Sequence, residues 1–448
     1  MQRFMDSLEK LLMPLAEKIG KNKYLIAIRD GFLISSPLLI IGSFFLLVAN
    51  FPIPGWNDFL AKFFGEGWAT KLMQPVRATF DVMTILAVLG IGYSLGRQLD
   101  VDAIASSAIA LVAFFILTPF ITNFTPNDME VVYEVKSIPL KWVGSNGLFV
   151  GMITALTSVL LFAKIVKKGW IIKMPEGVPP TVAKSFAALI PSGIVMVVFF
   201  IVKTLFEFTS YGNVHEIIYT YLQAPLTSLG NTLPAMVIAY IFLHLFWFFG
   251  INGSSVVGAV YNPILRVLSA ENLAAFQAGL PIPNIITGTF QDMFATFGGA
   301  GSTLSLIVAM LYICKSKRIK ELGKLSLLPG IFGINEPIIF GLPIMLNPIM
   351  LIPFMLVPTI NIIIAYFAMS LGIVPLTNGV SVPWTTPLVF SGFLVSGIRG
   401  AILQIILFII GVFIYIPFIK IVDRQYLKEE DRLQSEDSGD ISFDSLDF

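Results

Sequence analysis

Apolar runs long enough to cross a bilayer recur along this whole chain. They fall at about residues 24–49, 75–96, 103–122, 144–165, 183–206, 233–250, 298–314, 349–372 and 400–421. A crossing helix needs roughly 20 apolar residues, because the hydrocarbon core is about 30 Å thick. In lipid such segments must satisfy their own backbone hydrogen bonds, which restricts them to helices or a closed barrel. Alternating strands with even spacing and turn signals are absent, so a barrel is excluded. Composition agrees: 56% of the 448 residues are hydrophobic and 13% are Asp, Glu, Lys or Arg, against about 25% charged in soluble domains. The expected fold is an all-α integral membrane protein.

The same sequence excludes several chemistries. One cysteine, Cys314, and two histidines, His215 and His244, leave no disulfide framework, no CxxC pair and no histidine-rich metal centre. No metal or cofactor is expected. A net charge of +1 without a long basic cluster argues against nucleic acid as a partner. There is no Walker motif, and the loops are too short for a nucleotide-binding domain. Any work done across the membrane must draw on an ion gradient or a partner protein.

Lysine and arginine gather in cytoplasmic loops, which orients the chain. Residues 1–23 carry Phe4, Leu8, Leu11, Leu12, Leu15 and Ile19 at helical spacing with charges between them. They read as an amphipathic helix on the membrane surface, with a plain cytosolic helix as the alternative. Basic clusters in this segment, at Lys164–Lys173, at Lys315–Lys324 and at Lys420–Lys428 put both termini in the cytoplasm. The number of crossings is then even. Nine visible spans leave one more in the irregular stretch 251–297, giving about ten transmembrane helices. Residues 426–448, acidic and without an apolar face, read as a disordered cytosolic tail.

The two halves are written differently. Residues 24–210 hold conventional spans joined by polar loops. Within 211–425, the stretch 250–400 is apolar but punctuated by Gly, Pro and Asn. Irregular backbone is not tolerated against lipid, so these breaks should be re-entrant and line an enclosed cavity, which puts the functional site in the C-terminal half.

Three broken clusters stand out: 247–255, 330–341 and 377–387. Glu336 sits in an otherwise uncharged run, where a charge at a helix centre costs roughly 3 kcal/mol on insertion scales. Pro337 biases it away from helical dihedrals and towards a turn or hairpin tip. A carboxylate there accepts hydrogen bonds from hydroxyls or takes a proton; the structural alternative is a carboxylate satisfied by backbone amides and water. Trp247 and Trp384 flank broken turns. Their indole faces suit the apolar faces of pyranose rings, while Asn and Thr side chains such as Asn252, Asn335 and Thr385 suit sugar hydroxyls. For the indoles the alternative is the interfacial aromatic belt. His244, on an apparent span, reads either as a proton relay or substrate ligand, or as a residue bonded to a neighbouring backbone carbonyl. His215 reads as an exposed loop residue. Arg77 and Asp81, four apart, read as an ion pair that stabilises packing. Asp292 is a weaker site candidate. Gly299–Ser302 is no phosphate loop, because the Lys and the strand context are missing.

At these clusters the sequence resembles a known family. Trp-Phe-Phe-Gly-Ile-Asn-Gly at 247–253, Gly-Ile-Asn-Glu-Pro-Ile-Ile-Phe-Gly-Leu-Pro at 333–343, Asn347-Pro348 and Val-Pro-Trp-Thr-Thr-Pro at 382–387 are similar to hallmark segments of the membrane (IIC) component of bacterial sugar phosphotransferase systems. The branch is the lactose, cellobiose and diacetylchitobiose one, which Gln223-Ala224-Pro225-Leu226 and Ala27-Ile28-Arg29-Asp30-Gly31 also fit. The resemblance covers nearly the whole chain except the acidic tail.

It implies ten transmembrane helices plus two re-entrant hairpins, assembled as a homodimer in the lipid of the bacterial cytoplasmic membrane. Residues 24–210 would supply the dimer contact and 211–425 would enclose a disaccharide of the cellobiose or diacetylchitobiose class. The system depends on phosphoenolpyruvate. A cytosolic IIB partner, itself charged by IIA, carries a phosphocysteine that phosphorylates the sugar's C6 hydroxyl and traps it inside. That step needs positioning and a base. Glu336 matches the family's glutamate and is the catalytic candidate. Asn252, Asn335, Trp384, Trp247, Thr385, His244 and Gln223 are the substrate-binding candidates. Asn252 stands where the family commonly has His, and it cannot carry a proton or a positive charge near the incoming phosphate. Cys314 has no soluble domain around it, so the phosphorylated thiol must lie on a separate chain. The basic loop Lys315–Lys324 suits docking of IIB, or is ordinary positive-inside bias. The competing reading is a proton-coupled secondary sugar transporter with Glu336 as the coupling carboxylate.

Overall fold

The computed structural model describes residues 21–51, 55–124, 132–342 and 347–439, with 14, 18, 19 and 344 besides. The surface helix expected over 1–23 lies almost entirely outside the described residues, as do residues 440–448.

Apolar length sets most of the helices. Helix α1 (Lys23–Ala49) begins where the Asn22 side chain accepts the N–H groups of Tyr24 and Leu25 at 3.0 and 3.2 Å, supplying a partner that first-turn amides otherwise lack. A short exposed helix, α2 (Trp56–Phe64), leads to α3 (Trp68–Phe80) and α4 (Met83–Gln98). These two form one long segment interrupted near Asp81, of which the run expected at 75–96 is the central part. Arg77 lies in the last turn of α3 and Asp81 caps that end, and the two do not close to an ion pair. Helix α5 (Ala103–Leu117) stops earlier than its apolar run, because the Thr118 hydroxyl caps the Phe114 carbonyl at 2.8 Å and Pro119 follows. An exposed antiparallel hairpin then pairs β1 (Ile121–Phe124) with β2 (Tyr133–Lys136), the one departure from an all-α fold among the described residues. Helices α6 (Leu148–Lys167) and α7 (Pro180–Glu207) complete this half.

The second half is broken more often. Helix α8 (Val214–Gly230) meets α9 (Leu233–Phe248) at 77°. Where irregular chain was expected, α10 (Gly253–Gln277) is a regular helix containing Pro263. The segment Gly288–Ile313 passes from a single turn through a π turn at Gln291–Ala295 and a loop into α11 (Thr303–Ile313). It is followed by α12 (Lys317–Ile331), α13 (Glu336–Gly341), α14 (Pro348–Ser370) and α15 (Phe390–Gly439). Among the described residues seven segments are long and apolar enough to cross a bilayer, or up to eight with the bent α8–α9 pair.

Helix α15 runs on through Gly439, past residue 426 where the acidic tail is expected to begin, and the rest of that tail lies outside the described residues. Two carboxylates of this helix have partners that sequence alone does not reveal. Asp423 accepts the N–H groups of Lys315 and Ser316 at 3.0 and 2.9 Å, and Glu430 accepts the Ser316 hydroxyl and the Arg318 N–H at 2.6 and 3.2 Å. Anionic side chains thus cap the N-terminus of α12, where the helix dipole favours them, and the Arg318 guanidinium lies 4.9 Å from the Tyr426 ring centroid.

One apolar core joins α1, α4, α5 and α6 around Ile91, Leu95, Phe114 and Phe162. Lipid gives little reward for merely pairing apolar helices, so close backbone approach matters; a Cβ on Gly90 would fall 2.6 Å from the Gly31 carbonyl oxygen. A second core gathers Phe290, Phe294, Ile362 and Leu407, and a third packs α11, α14 and the C-terminal part of α15 around Met310, Phe354 and Tyr415. Helix α7 joins the first core through Val195 and Phe199 but is otherwise mostly open. Only 17% of its apolar window is buried, with Leu189, Val197, Phe200 and Ile201 exposed.

Candidate functional site

Four interruptions of the second half converge on one cavity of about 600 Å³, within the roughly 300–1,000 Å³ of small-molecule sites. They are the turn between α9 and α10, the loop Thr296–Ser302, the turn before α13, and the stretch Gly379–Leu388. Helix α1 closes one side with Arg29 and Ser36, and α10 another with Tyr261, Asn262 and Arg266.

Five of the eight expected site residues meet on this wall: Glu336, Asn335, Asn252, Trp247 and Trp384. Glu336 opens α13, and its side chain is exposed to the cavity. Asn335 is buried, and its amide donates to the Ala300 carbonyl at 3.0 Å. Asn252 caps α10 by accepting the Ser255 N–H at 2.9 Å, which leaves its amide nitrogen free of that bond. The Trp247 indole N–H donates to the Ser254 hydroxyl at 3.2 Å. Trp384 is 60% exposed despite its large apolar rings, so the cavity presents a bare indole face.

The other three are off the wall. Thr385 lies between Trp384 and Thr386, and those two neighbours are the ones that line the cavity. Gln223 is buried in the π turn of α8, its amide donating to the Ser145 carbonyl at 3.3 Å. His244 is buried and committed on both nitrogens: Nε2 accepts the Gly301 N–H at 2.9 Å, so Nδ1 carries the proton and donates to the Tyr240 carbonyl at 2.7 Å. His215 is likewise no loop residue. It is buried between Trp142 and Phe114, at centroid distances of 5.0 and 5.5 Å, with Nε2 3.1 Å from the Thr118 hydroxyl.

The cavity also holds what sequence reasoning missed or undervalued. Arg266 is the sole Lys or Arg between Lys203 and Lys315, a signal as strong as that of Glu336, yet it fell in the stretch read as irregular. It lines the wall with Asp292 and donates to the Ser36 hydroxyl at 3.2 Å. Two arginines, two carboxylates, several amides and hydroxyls and two indoles thus surround one space. Such a lining suits a neutral, polyhydroxylated ring, because the indoles cover apolar faces while the polar groups exchange hydrogen bonds with hydroxyls. Among the described residues no three His, Cys, Asp or Glu come together in a way that would hold a metal ion. Cys314 is buried beside Asp423; burial, reinforced by that carboxylate, pushes its thiol up to about 12, so it offers no thiolate for phosphoryl chemistry.

Comparison with known proteins gives a consistent picture. The family model described as phosphotransferase system, EIIC matches residues 29–358. The chain is 46% identical to the PTS system cellobiose-specific EIIC component of Geobacillus stearothermophilus over 435 residues, 96% of each chain. It is 42% identical to the lichenan permease IIC component of Bacillus subtilis (strain 168), over 97% of each. Among solved structures, the transporter ChbC, the IIC component from the N,N′-diacetylchitobiose-specific phosphotransferase system, superposes with a TM-score of 0.92 at 47% identity. That match covers 95% of this chain and 99% of the other.

Proposed function

This chain belongs to the phosphotransferase system EIIC family, and we propose that it carries a β-linked disaccharide of the cellobiose or N,N′-diacetylchitobiose class, presenting the C6 hydroxyl beside Glu336. As a family member it is a multi-pass disaccharide permease of the cell membrane that works with IIB and IIA components. The choice of sugar follows the names of its relatives. The observation that carries the site assignment is Glu336 facing the cavity next to Asn335, across a wall that also bears Trp247 and Trp384.

In the transfer step the C6 oxygen attacks the phosphorus of a IIB phosphocysteine. The O–P bond forms, the S–P bond breaks, the thiolate leaves, and the hydroxyl proton passes to Glu336. The protein's task is to align the hydroxyl and receive that proton. Asn252 and Asn335 orient the sugar, and the indoles stack on its rings. We assign ten crossings to α1, α3–α4, α5, α6, α7, α8–α9, α10, Gly288–Ile313, α14 and α15, of which seven, or eight with the bent α8–α9 pair, are long and apolar enough by themselves. Ten is even, and we assign both termini to the cytoplasm. The exposed apolar face of α7 supports a homodimer formed through the N-terminal half.

The test supplies labelled cellobiose, diacetylchitobiose and lactose to cells expressing this chain with or without the soluble phosphotransfer proteins. Phosphorylated cellobiose or diacetylchitobiose that requires those proteins and survives a protonophore is the expected result. Free sugar accumulating in a protonophore-sensitive way would instead make Glu336 a proton carrier.

A further inference from the structure

The cavity is bordered by a loop, Gly298–Ser302, which is bonded within itself from the Ser302 N–H to the Gly299 carbonyl at 3.1 Å and is fixed at Gly301 from outside. Gly301 adopts a φ of +76°, and a Cβ there would fall 2.0 Å from the Phe354 ring, so this residue has neither a side chain to anchor it nor an ordinary backbone conformation. Its peptide groups are held by two different helices. The Gly301 N–H donates to His244 Nε2 at 2.9 Å from α9, and the Gly301 carbonyl accepts the Tyr415 hydroxyl at 2.5 Å from α15. The His244 ring is fixed in turn, by its Nδ1–H bond to the Tyr240 carbonyl and by an edge contact with Phe354 at 5.0 Å. One residue further back, the Ala300 carbonyl accepts the Asn335 amide at 3.0 Å, and Asn335 adjoins Glu336. Gly298, Gly299 and Ala300 themselves face the cavity.

We infer that His244 and Tyr415 are positioning residues: together they brace Gly301, and through Ala300 and Asn335 they set the place of Glu336 and the sugar affinity of the cavity. The inference rests on Glu336 and Asn335 being sugar contacts. Neither His244 nor Tyr415 lines the cavity, so they touch no sugar. Their influence runs through buried backbone hydrogen bonds, which are stronger in a low-dielectric interior than in water. Both residues act on the same few atoms of one glycine, so losing either one frees the loop and losing the second adds little.

The experiment uses the full chain in lipid nanodiscs, with cellobiose and diacetylchitobiose as probes. It measures sugar Kd by titration calorimetry and the thermal midpoint without sugar, for Tyr415→Phe, His244→Leu, their double variant, His244→Gln and Glu336→Gln. Gln keeps an acceptor within reach of the Gly301 N–H. The expected result is a Kd about tenfold weaker for Tyr415→Phe and for His244→Leu, a double variant no weaker than about twice either, and recovery to within about threefold in His244→Gln. A role in packing alone would lower the thermal midpoint and leave the Kd of folded protein within about twofold, and that outcome overturns the inference. So does failure of Gln to rescue, or single effects that multiply in the double variant. If His244→Leu does not fold, Tyr415→Phe decides. If Glu336→Gln changes neither affinity nor sugar phosphorylation, the site reading itself fails; if Glu336→Gln acts and Tyr415→Phe does not, only the brace fails.

Discussion

The two halves of this permease solve the membrane's hydrogen-bonding problem in opposite ways. In the N-terminal half, the long helices satisfy their backbone internally, and the core is aliphatic and aromatic, with Phe114 and Phe162 fully buried. In the C-terminal half the chain breaks repeatedly, and several breaks are held by buried polar side chains. Gln404 accepts the N–H groups of Val389 and Gly392 at 2.8 and 3.0 Å and donates to the Met293 carbonyl at 2.6 Å. Asn272 bonds both backbone groups of Asn284 and the Thr377 carbonyl, and Asn361 donates to the Ala295 carbonyl and the Ser302 hydroxyl. Side-chain amides do here what the next turn of helix does elsewhere. Where a helix opens onto a cavity inside the membrane, its lost hydrogen bonds must be rebuilt one at a time.

The strongest challenge to this contrast is Glu336→Gln. It removes a base while keeping shape and hydrogen-bonding capacity, so sugar phosphorylation in the presence of IIB should fall by about 10²–10⁴, with the thermal midpoint unmoved. Retained phosphorylation would show that the broken half positions the sugar without taking its proton.

Next come two variants that should part company. Phe114→Ala empties a packed site in the regular half and should cost about 3–5 kcal/mol, seen as a lower thermal midpoint, while folded protein keeps its sugar Kd. Gln404→Leu leaves buried backbone groups unpaired, at about 1–3 kcal/mol each; it should lower the midpoint and weaken sugar binding as well, because the stretch it holds runs on from Trp384. Equal effects of the two on Kd would erase the distinction between a half that supports and a half that binds.

How much of this was legible depended on which physics wrote it. Apolar length is a local property, so the helices of residues 23–207 stand close to where their runs predict. The charge of Glu336 and the indole of Trp384 advertised themselves against an apolar background. His244 showed its residue type but not its partner, because Gly301 lies 57 positions away in sequence and no local pattern encodes that approach. Thr385 and Thr386 could not be told apart, since which of two neighbours faces a cavity depends on a turn whose geometry is set by its surroundings. Glu430 reads as solvated in the sequence because its partner, the first turn of α12, lies more than 100 residues upstream. Arg266 was legible and was passed over, because its surroundings had been read as irregular chain rather than as a helix facing polar space.

The smallest effect, and the one that sharpens the comparison most finely, belongs to Asn252. Its side chain can carry two separable duties: the oxygen caps α10 through the Ser255 N–H, and the amide nitrogen, free of that bond on a residue that lines the cavity, is a donor for a sugar hydroxyl under the proposed function. Loss of an N-cap costs about 1 kcal/mol, and loss of one neutral hydrogen bond to a ligand about the same, so Asn252→Ala should lower the thermal midpoint slightly and weaken sugar binding by about three- to tenfold. Asn252→Asp keeps the cap and discards the donor. If the amide touches sugar, Asp should restore the midpoint but not the affinity, as read by calorimetry with cellobiose. If Asp restores both, Asn252 serves only to start α10, and the position where the family commonly carries His is in this chain a helix cap at the edge of the cavity.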